Sequence, residues 1–393
     1  MTSVQVPGVA AGPFWRSVAA GGLSTVLASL PVFLLGGLAV LVRGDLGFSE
    51  VQLGLAASTF FAVAAVTAVP AGRVAARTGA WAATVIGAAG SAAALVAMAV
   101  AGSYAVLLLA LAVGGVANSL AQIGTNGTLA EVVPAHRQGL AFGVKQAAIP
   151  AATFVAGFSL PLVGLTLGWR VSFAAAALLA AAYVLLAPRT GRPRRTAAPA
   201  GGPGGSVAVG ALTVVAIAAA LASAAVNGLA AFLVVSAVAS GLSPSGAGVL
   251  LGTGSALGVA ARVLVGWLAD RRTGGHLRIV AAMMAAGAVG MSLFATGAPA
   301  ALFAGTALVF ALGWSWPGLL TFAVVRLNPS APARATSYTQ TGVFAGGATG
   351  PVTFGLLVSA GSYRLAWTAA AVAMVGASGL MVAGRRMLLA ARQ

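Results

Sequence analysis

The sequence has no cysteine and only four acidic residues, Asp45, Glu50, Glu131 and Asp270, in a chain of 393. Without cysteine there is no disulfide framework of the kind that staples small secreted domains. Four scattered carboxylates and two histidines, His136 and His276, give no paired acids, no nucleophile beside a base and no metal cluster. A membrane enzyme is therefore not expected, and neither is a cofactor or a metal. Charge of any kind is scarce: 6% of residues are Asp, Glu, Lys or Arg, against roughly 25% in an ordinary soluble domain. So few charges cannot cover a water-soluble globule of this size.

What the chain has instead is apolar sequence, 60% of its residues, in runs near the ~20 residues that a helix needs to cross a bilayer. Spans are expected near 18–42, 50–71, 80–101, 104–130, 139–165, 170–187, 207–239, 245–269, 277–297, 299–325, 335–359 and 363–383. The runs are too long for barrel strands and do not alternate with period two. The expected class is an all-α membrane protein with twelve transmembrane helices. Its Ala, Gly and Leu richness suits close helix packing in lipid. The first apolar run is too long for a signal-peptide core and reads as a retained span.

The net charge of +17 reflects topology rather than nucleic-acid binding, because the basic residues sit in short gaps between apolar runs. Sixteen fall on one side: Arg16, Arg73, Arg77, Arg137, Arg189, Arg192, Arg194, Arg195, Arg271, Arg272, Arg278, Arg326, Arg334, Arg385, Arg386 and Arg392. The other side has Arg43, Arg170 and Arg364, while Lys145 and Arg262 lie inside expected helices. This asymmetry places both termini in the cytoplasm of a multi-pass protein of the cell (inner) membrane. The Pro-, Gly- and Arg-rich stretch 188–206 reads as a cytoplasmic linker between halves 1–187 and 207–393.

The halves match at a constant offset of 194 residues. Gly72-Arg73-Val-Ala-Ala-Arg77 aligns with Gly266-Trp-Leu-Ala-Asp270-Arg271, Gln146 with Gln340, Gly54 with Gly248, and Trp169-Arg170 with Tyr363-Arg364. The matched basic loops share a membrane face, so an even number of spans separates them. Two parallel six-helix pseudo-repeats follow, related by an axis along the membrane normal, with a solute site near mid-bilayer.

With Gly266 to Arg271 reading GWLADR, the chain resembles the major facilitator superfamily, in its bacterial-type twelve-span form. That family carries roughly G-x-L-a-D-R-x-G after its second span. The first-half copy keeps Gly72, Arg73 and Arg77 but has Ala76 in place of the acid. The resemblance implies alternating access with a cytoplasmic gate. Gly266 would allow close helix approach, Asp270 would cap the start of span five near Arg137–Gly139, and Glu131 would pair with Arg271 or Arg272. The alternative is that these charges are solvated loop residues.

Polar side chains at hydrocarbon depth are costly, and so point to a pathway. Asn118, Gln122 and Asn126 recur every four residues in span four and share one face. Asn227 in span seven, Gln146 in span five, Tyr338 and Gln340 in span eleven and Trp314 in span ten join them as candidate substrate contacts. Each amide could instead join helices, and Trp314 could anchor at an interface. Lys145 and Arg262 either snorkel to headgroups or draw an anion inward, Arg262 gripping a carboxylate with two parallel hydrogen bonds. Arg262-Val-Leu-Val-Gly266 resembles the eighth span of monocarboxylate and oxalate carriers. No buried acid or histidine is visible for proton antiport, so any protons are expected to travel with the substrate.

The expected function is therefore transport of a small organic anion such as a carboxylate, by a monomer in the lipid bilayer. Efflux of drug-like or lipophilic compounds is the rival within transport, although span five lacks the gxxxGPxxGG pattern of drug antiporters. Gly342, Gly346 and Gly350 before Pro351 form a small-residue face in span eleven instead. A transport-fold membrane sensor is the rival of another class, set back by the short tails.

Overall fold

A computed structural model describes residues 11–133, 138–187 and 208–391. The expected linker at 188–206 and the residues His136 and Arg137 lie outside the described residues. Among those described, twelve helices are long and apolar enough to cross a membrane. In the first half they are Arg16–Gly37, Glu50–Thr78, Ala80–Ala99, Tyr104–Leu129, Gly143–Leu167 and Trp169–Leu186. In the second half they are Val209–Ala239, Pro244–Arg271, His276–Phe294, Pro299–Leu327, Arg334–Ala360 and Tyr363–Ala390. Spans one to twelve below are these helices in order. The face where span one begins is called the terminal face.

Local chemistry sets where spans begin and turn. Ser49 opens span two with a capping box: its hydroxyl accepts from the Gln52 amide, and the Gln52 side chain accepts from the Ser49 amide. Ser243 caps span eight through the Gly246 amide, with Pro244 in the first turn. The two serines are one repeat offset apart, so the duplication extends to the caps. Span one ends at Gly37 rather than near residue 42, because the chain turns at Leu38 into a separate short helix, Ala39–Leu46. Gly79 alone joins spans two and three at φ 93°, a conformation that a side chain would oppose. At its other end, span twelve continues past the expected limit of 383 to Ala390.

Large apolar side chains such as Val66, Leu109, Leu178 and Leu185 point outward, as lipid-facing residues should. Many glycines and alanines face inward, letting helices approach backbone to backbone. Span eleven lays Gly342, Gly346 and Gly350 on Ala216, Ala220 and Ala224 of span seven. Between the halves, Gly54 packs on the Pro351 backbone, Gly355 on Glu50, Gly36 on Ala230 and Gly157 on Gly252. Hydrogen bonds join the same seams. The hydroxyls of Thr153 and Ser255 lie 2.8 Å apart, and the Val352 amide donates to the Ser58 hydroxyl at 3.1 Å. These contacts close the bundle on the side away from the termini, where Phe232 and Phe354 of the second half also stack at 4.8 Å between ring centroids.

A Cβ at Gly346 would lie 2.0 Å from the Ala220 carbonyl oxygen, whereas one at Gly379 would meet nothing within 4 Å. Gly346→Val is expected to destabilise the purified protein by about 1–3 kcal/mol through overpacking. Gly379→Ala should be neutral or slightly stabilising. Thermal unfolding in detergent checks both.

Candidate functional site

A cavity of about 280 Å³ lies between the halves, with residues of spans one, two, four, five, seven, eight, ten and eleven in its wall. It collects most of the polar positions expected from the sequence: Asn118, Gln122, Asn126, Lys145, Gln146, Asn227, Arg262, Trp314 and Gln340. The span-four stripe is buried at Asn118, half-buried at Gln122 and exposed at Asn126, so the cavity opens toward the terminal face. Tyr338 is not part of it. Two residues before Gln340, it lies about 200° away around the helix and lines a separate groove between spans seven and eleven with Thr213 and Ala216.

Lys145 is 6% exposed and Arg262 3% exposed, and both line the cavity. Neither snorkels to the headgroup region. Their surroundings differ. Arg262 Nη1 donates to the Gln146 carbonyl, and Nη2 donates to the Trp314 carbonyl at 2.6 Å. Two prolines explain why these carbonyls are available. Pro150 stands four residues after Gln146 and has no amide hydrogen to return. Span ten breaks at Trp314–Ser315, between a π-helical turn at Val309–Gly313 and a new helix that starts at Trp316 with Pro317 in its first turn. The Trp314 carbonyl is thereby left outside either ladder, and its ring lies 5.6 Å from the Arg262 guanidinium carbon.

The expected two-pronged grip on a substrate carboxylate would have to draw on the donors that these two bonds leave. Two of its five donors go to backbone, and Nε has no protein partner. Lys145 makes no hydrogen bond or ion pair with any described residue. Around the two cations lie further unused groups: Trp316 Nε1, Asn118 Oδ1 and Gln122 Oε1 are buried without partners. Asn227 is occupied, donating to the Ser223 carbonyl and hydroxyl. No acidic side chain lines the cavity among the described residues. Trp316 also lines it, as do Phe33, Phe60, Phe61 and Phe344; the sequence did not mark the phenylalanines, since an aromatic in an apolar span looks the same whether it packs or binds.

On the terminal face, Asp270 Oδ2 accepts the Leu140 amide at 2.9 Å, in the first turn of the helix that leads into span five. Close beneath, Gly143 packs on Gly266, where an added Cβ would lie 3.1 Å from the Gly266 Cα. Arg271 stacks on Trp267 with its guanidinium carbon 3.6 Å from the ring centroid; the Glu131 side chain lies outside the described residues. The first-half copy differs: Gly72 faces open space, and Arg73 and Arg77 are exposed. His276 starts span nine, and its ring meets Phe322 edge-on at 5.2 Å.

The opposite face carries two ion pairs within the first half, Arg43–Glu50 and Arg170–Asp45, each at 2.6 Å. The hydrogen bond from Arg170 holds the Asp45 carboxyl below its ordinary range. That tie is fully present above the ordinary aspartate value and is lost as pH falls through the lowered one. Both groups are about half exposed, so its contribution to stability is small.

The family model of the Major Facilitator Superfamily matches residues 21–351, and the chain belongs to that family. It is a multi-pass membrane transporter whose cargo is a small molecule. No curated protein sequence matches it. Among solved structures, it is similar to a bacterial homologue of the human lysosomal transporter Spinster in an inward-facing and occupied conformation. That match has 16% identity and a TM-score of 0.66, and covers 95% of this chain and 96% of the other. At such identity the likeness speaks for the fold.

Removing the Asp270 carboxylate leaves the Leu140 amide without its cap. Asp270→Ala should cost about 1 kcal/mol or more of stability, as lost helix caps do. Asp270→Asn, which keeps an acceptor oxygen, should cost less; thermal unfolding of the two variants measures the difference.

Proposed function

We propose that this transporter carries a small organic anion, most simply a monocarboxylate with an apolar or aromatic body, between the two sides of the membrane. One observation carries the reading: two buried cations line the central cavity and no described acid lines it with them. A unit charge 4 Å from one of opposite sign gains ~4 kcal/mol at an effective dielectric of 20. An anion therefore offsets part of the cost of keeping Lys145 in the bilayer interior. Lys145, Arg262 Nε and Trp316 Nε1 supply donors for a carboxylate, while Phe33, Phe60, Phe61 and Phe344 suit the rest of the molecule.

In this reading the halves 1–187 and 207–393 rock about the cavity, with both termini in the cytoplasm. The opening past Asn126 is then the cytoplasmic one, and Asp270 and Gly266 belong to the gate on that side. Any coupled proton crosses on the substrate's own carboxylate. The aromatic wall also favours a second reading, export of lipophilic compounds, in which the cations matter little.

Reconstituted vesicles separate the two when offered labelled organic acids, bases and neutral solutes of similar size. Acids should enter, and Lys145→Ala should slow their uptake about tenfold or more, the equivalent of losing one hydrogen bond to a charged group. Uptake of bases or neutral compounds that is unaffected by Lys145→Ala supports the lipophilic reading instead.

A further inference from the structure

Deep in the central cavity, one hydrogen-bond acceptor is held in a fixed direction. Asn227 of span seven is 9% exposed and lines the cavity wall. Its neighbours set the orientation of its amide. Ser223 Oγ donates its only hydrogen to the Val343 carbonyl at 2.7 Å, so toward Asn227 that oxygen can only accept. The Ser223 carbonyl, 2.8 Å from the same amide, is an acceptor too. The atom that faces both is therefore the Asn227 nitrogen. Those bonds use only the nitrogen, and Oδ1 has no partner among the described residues.

We propose that Asn227 Oδ1 receives a hydroxyl at the far end of the cargo, so that the substrates are hydroxylated organic acids rather than organic acids in general. The inference rests on the organic-anion reading and narrows it.

The first argument is depth. Spans one, five and seven all begin at the terminal face, and span one touches the other two at neighbouring residues: Gly37 packs on Ala156 and Gly36 on Ala230. Lys145 stands eleven residues before Ala156, and Asn227 only three before Ala230. By helical rise, Asn227 therefore lies about 10 Å further from the terminal face than Lys145. The Lys145 side chain tilts toward the start of its helix, away from Asn227. A ligand that meets both, with a hydrogen bond of about 2.9 Å at each end, needs roughly 5–9 Å between its carboxylate and its donor. A hydroxyl beside the carboxylate is too close, whereas one across an aromatic ring fits.

The second argument is that the fold does not ask for an amide at this place. One repeat offset earlier stands Phe33, while the supporting serine recurs, Ser29 at the position of Ser223. Asn227 does not join helices either. Both of its bonds run to Ser223 in its own helix, and it is Ser223 that reaches span eleven. An acceptor left unpaired in so buried a residue is costly, and a hydroxyl on the ligand removes that cost.

The test is thermal unfolding of the purified full chain, titrated with 3-(4-hydroxyphenyl)propanoate, its 2-hydroxy isomer and unsubstituted 3-phenylpropanoate. The 4-hydroxy acid should bind about fivefold more tightly than the unsubstituted acid, the gain from one net hydrogen bond. The 2-hydroxy isomer, whose hydroxyl lies too near the carboxylate, should show no such gain. Asn227→Leu should bring the 4-hydroxy and unsubstituted acids level, whereas Lys145→Ala should weaken both by the same factor. The isomer comparison needs only the wild type, so it decides the matter should Asn227→Leu fail to fold. Equal affinity for the 4-hydroxy and unsubstituted acids, an equal gain from the 2-hydroxy isomer, or a preference that survives in Asn227→Leu would overturn this inference and leave the organic-anion reading standing. Binding of none of the three acids, or affinities that Lys145→Ala does not change, would overturn the organic-anion reading and this inference with it.

Discussion

Two carbonyls left without helix partners, and the guanidinium that takes both, fix the centre of this protein. Pro150 deprives the Gln146 carbonyl of its donor, and the break in span ten releases that of Trp314. An unsatisfied carbonyl at membrane depth costs several kcal/mol, and Arg262 satisfies one from each half. A buried charge usually needs a counter-charge; here two peptide dipoles provide part of the compensation. The broken span is thus tied to the seam between halves while still lining the cavity, in keeping with the discontinuous helices at transporter sites.

That arrangement separates the work of the two cations. Arg262 holds the seam, and its Nε has no protein partner. Lys145 has no such support, and its charge faces a cavity lined, besides Arg262, by amides, hydroxyls, aromatic rings and aliphatic side chains. The opposite ends of the bundle are built differently. Away from the termini, glycine contacts close the halves directly on one another. Toward the termini, polar contacts such as Asp270 with the Leu140 amide hold one seam beside an opening at Asn126. Contacts made through a few hydrogen bonds are easier to exchange than interlocked backbones.

The twelve-helix plan could be read from run length and the 194-residue offset, because hydrophobic length and basic-loop placement are direct physical demands of a bilayer. Most of the cavity wall was legible too, since amides and cations in apolar spans carry a cost that sequence displays. Tyr338 was misplaced because an eleventh-span residue was selected by polarity alone, without asking which side of the helix Gln340 defines. The two backbone bonds of Arg262 were not legible for a different reason. The spacing Gln146 to Pro150 signals an orphan carbonyl, but which side chain reaches it depends on how spans five, eight and ten cross. The aromatic lining left no signal, because phenylalanine is equally at home in core, lipid and binding site.

The central claim is that the cavity is positive because Lys145 is uncompensated, and ligand-induced stabilisation of the purified protein tests it most directly. Thermal unfolding should be followed with an aromatic monocarboxylate, an amine and an alcohol of matched shape. A ligand at a hundred times its dissociation constant stabilises by about 2.7 kcal/mol. The carboxylate alone should raise the unfolding temperature of the wild type, and Lys145→Met should abolish that rise. Stabilisation by the amine or the alcohol, or a carboxylate effect that persists in Lys145→Met, would contradict the account.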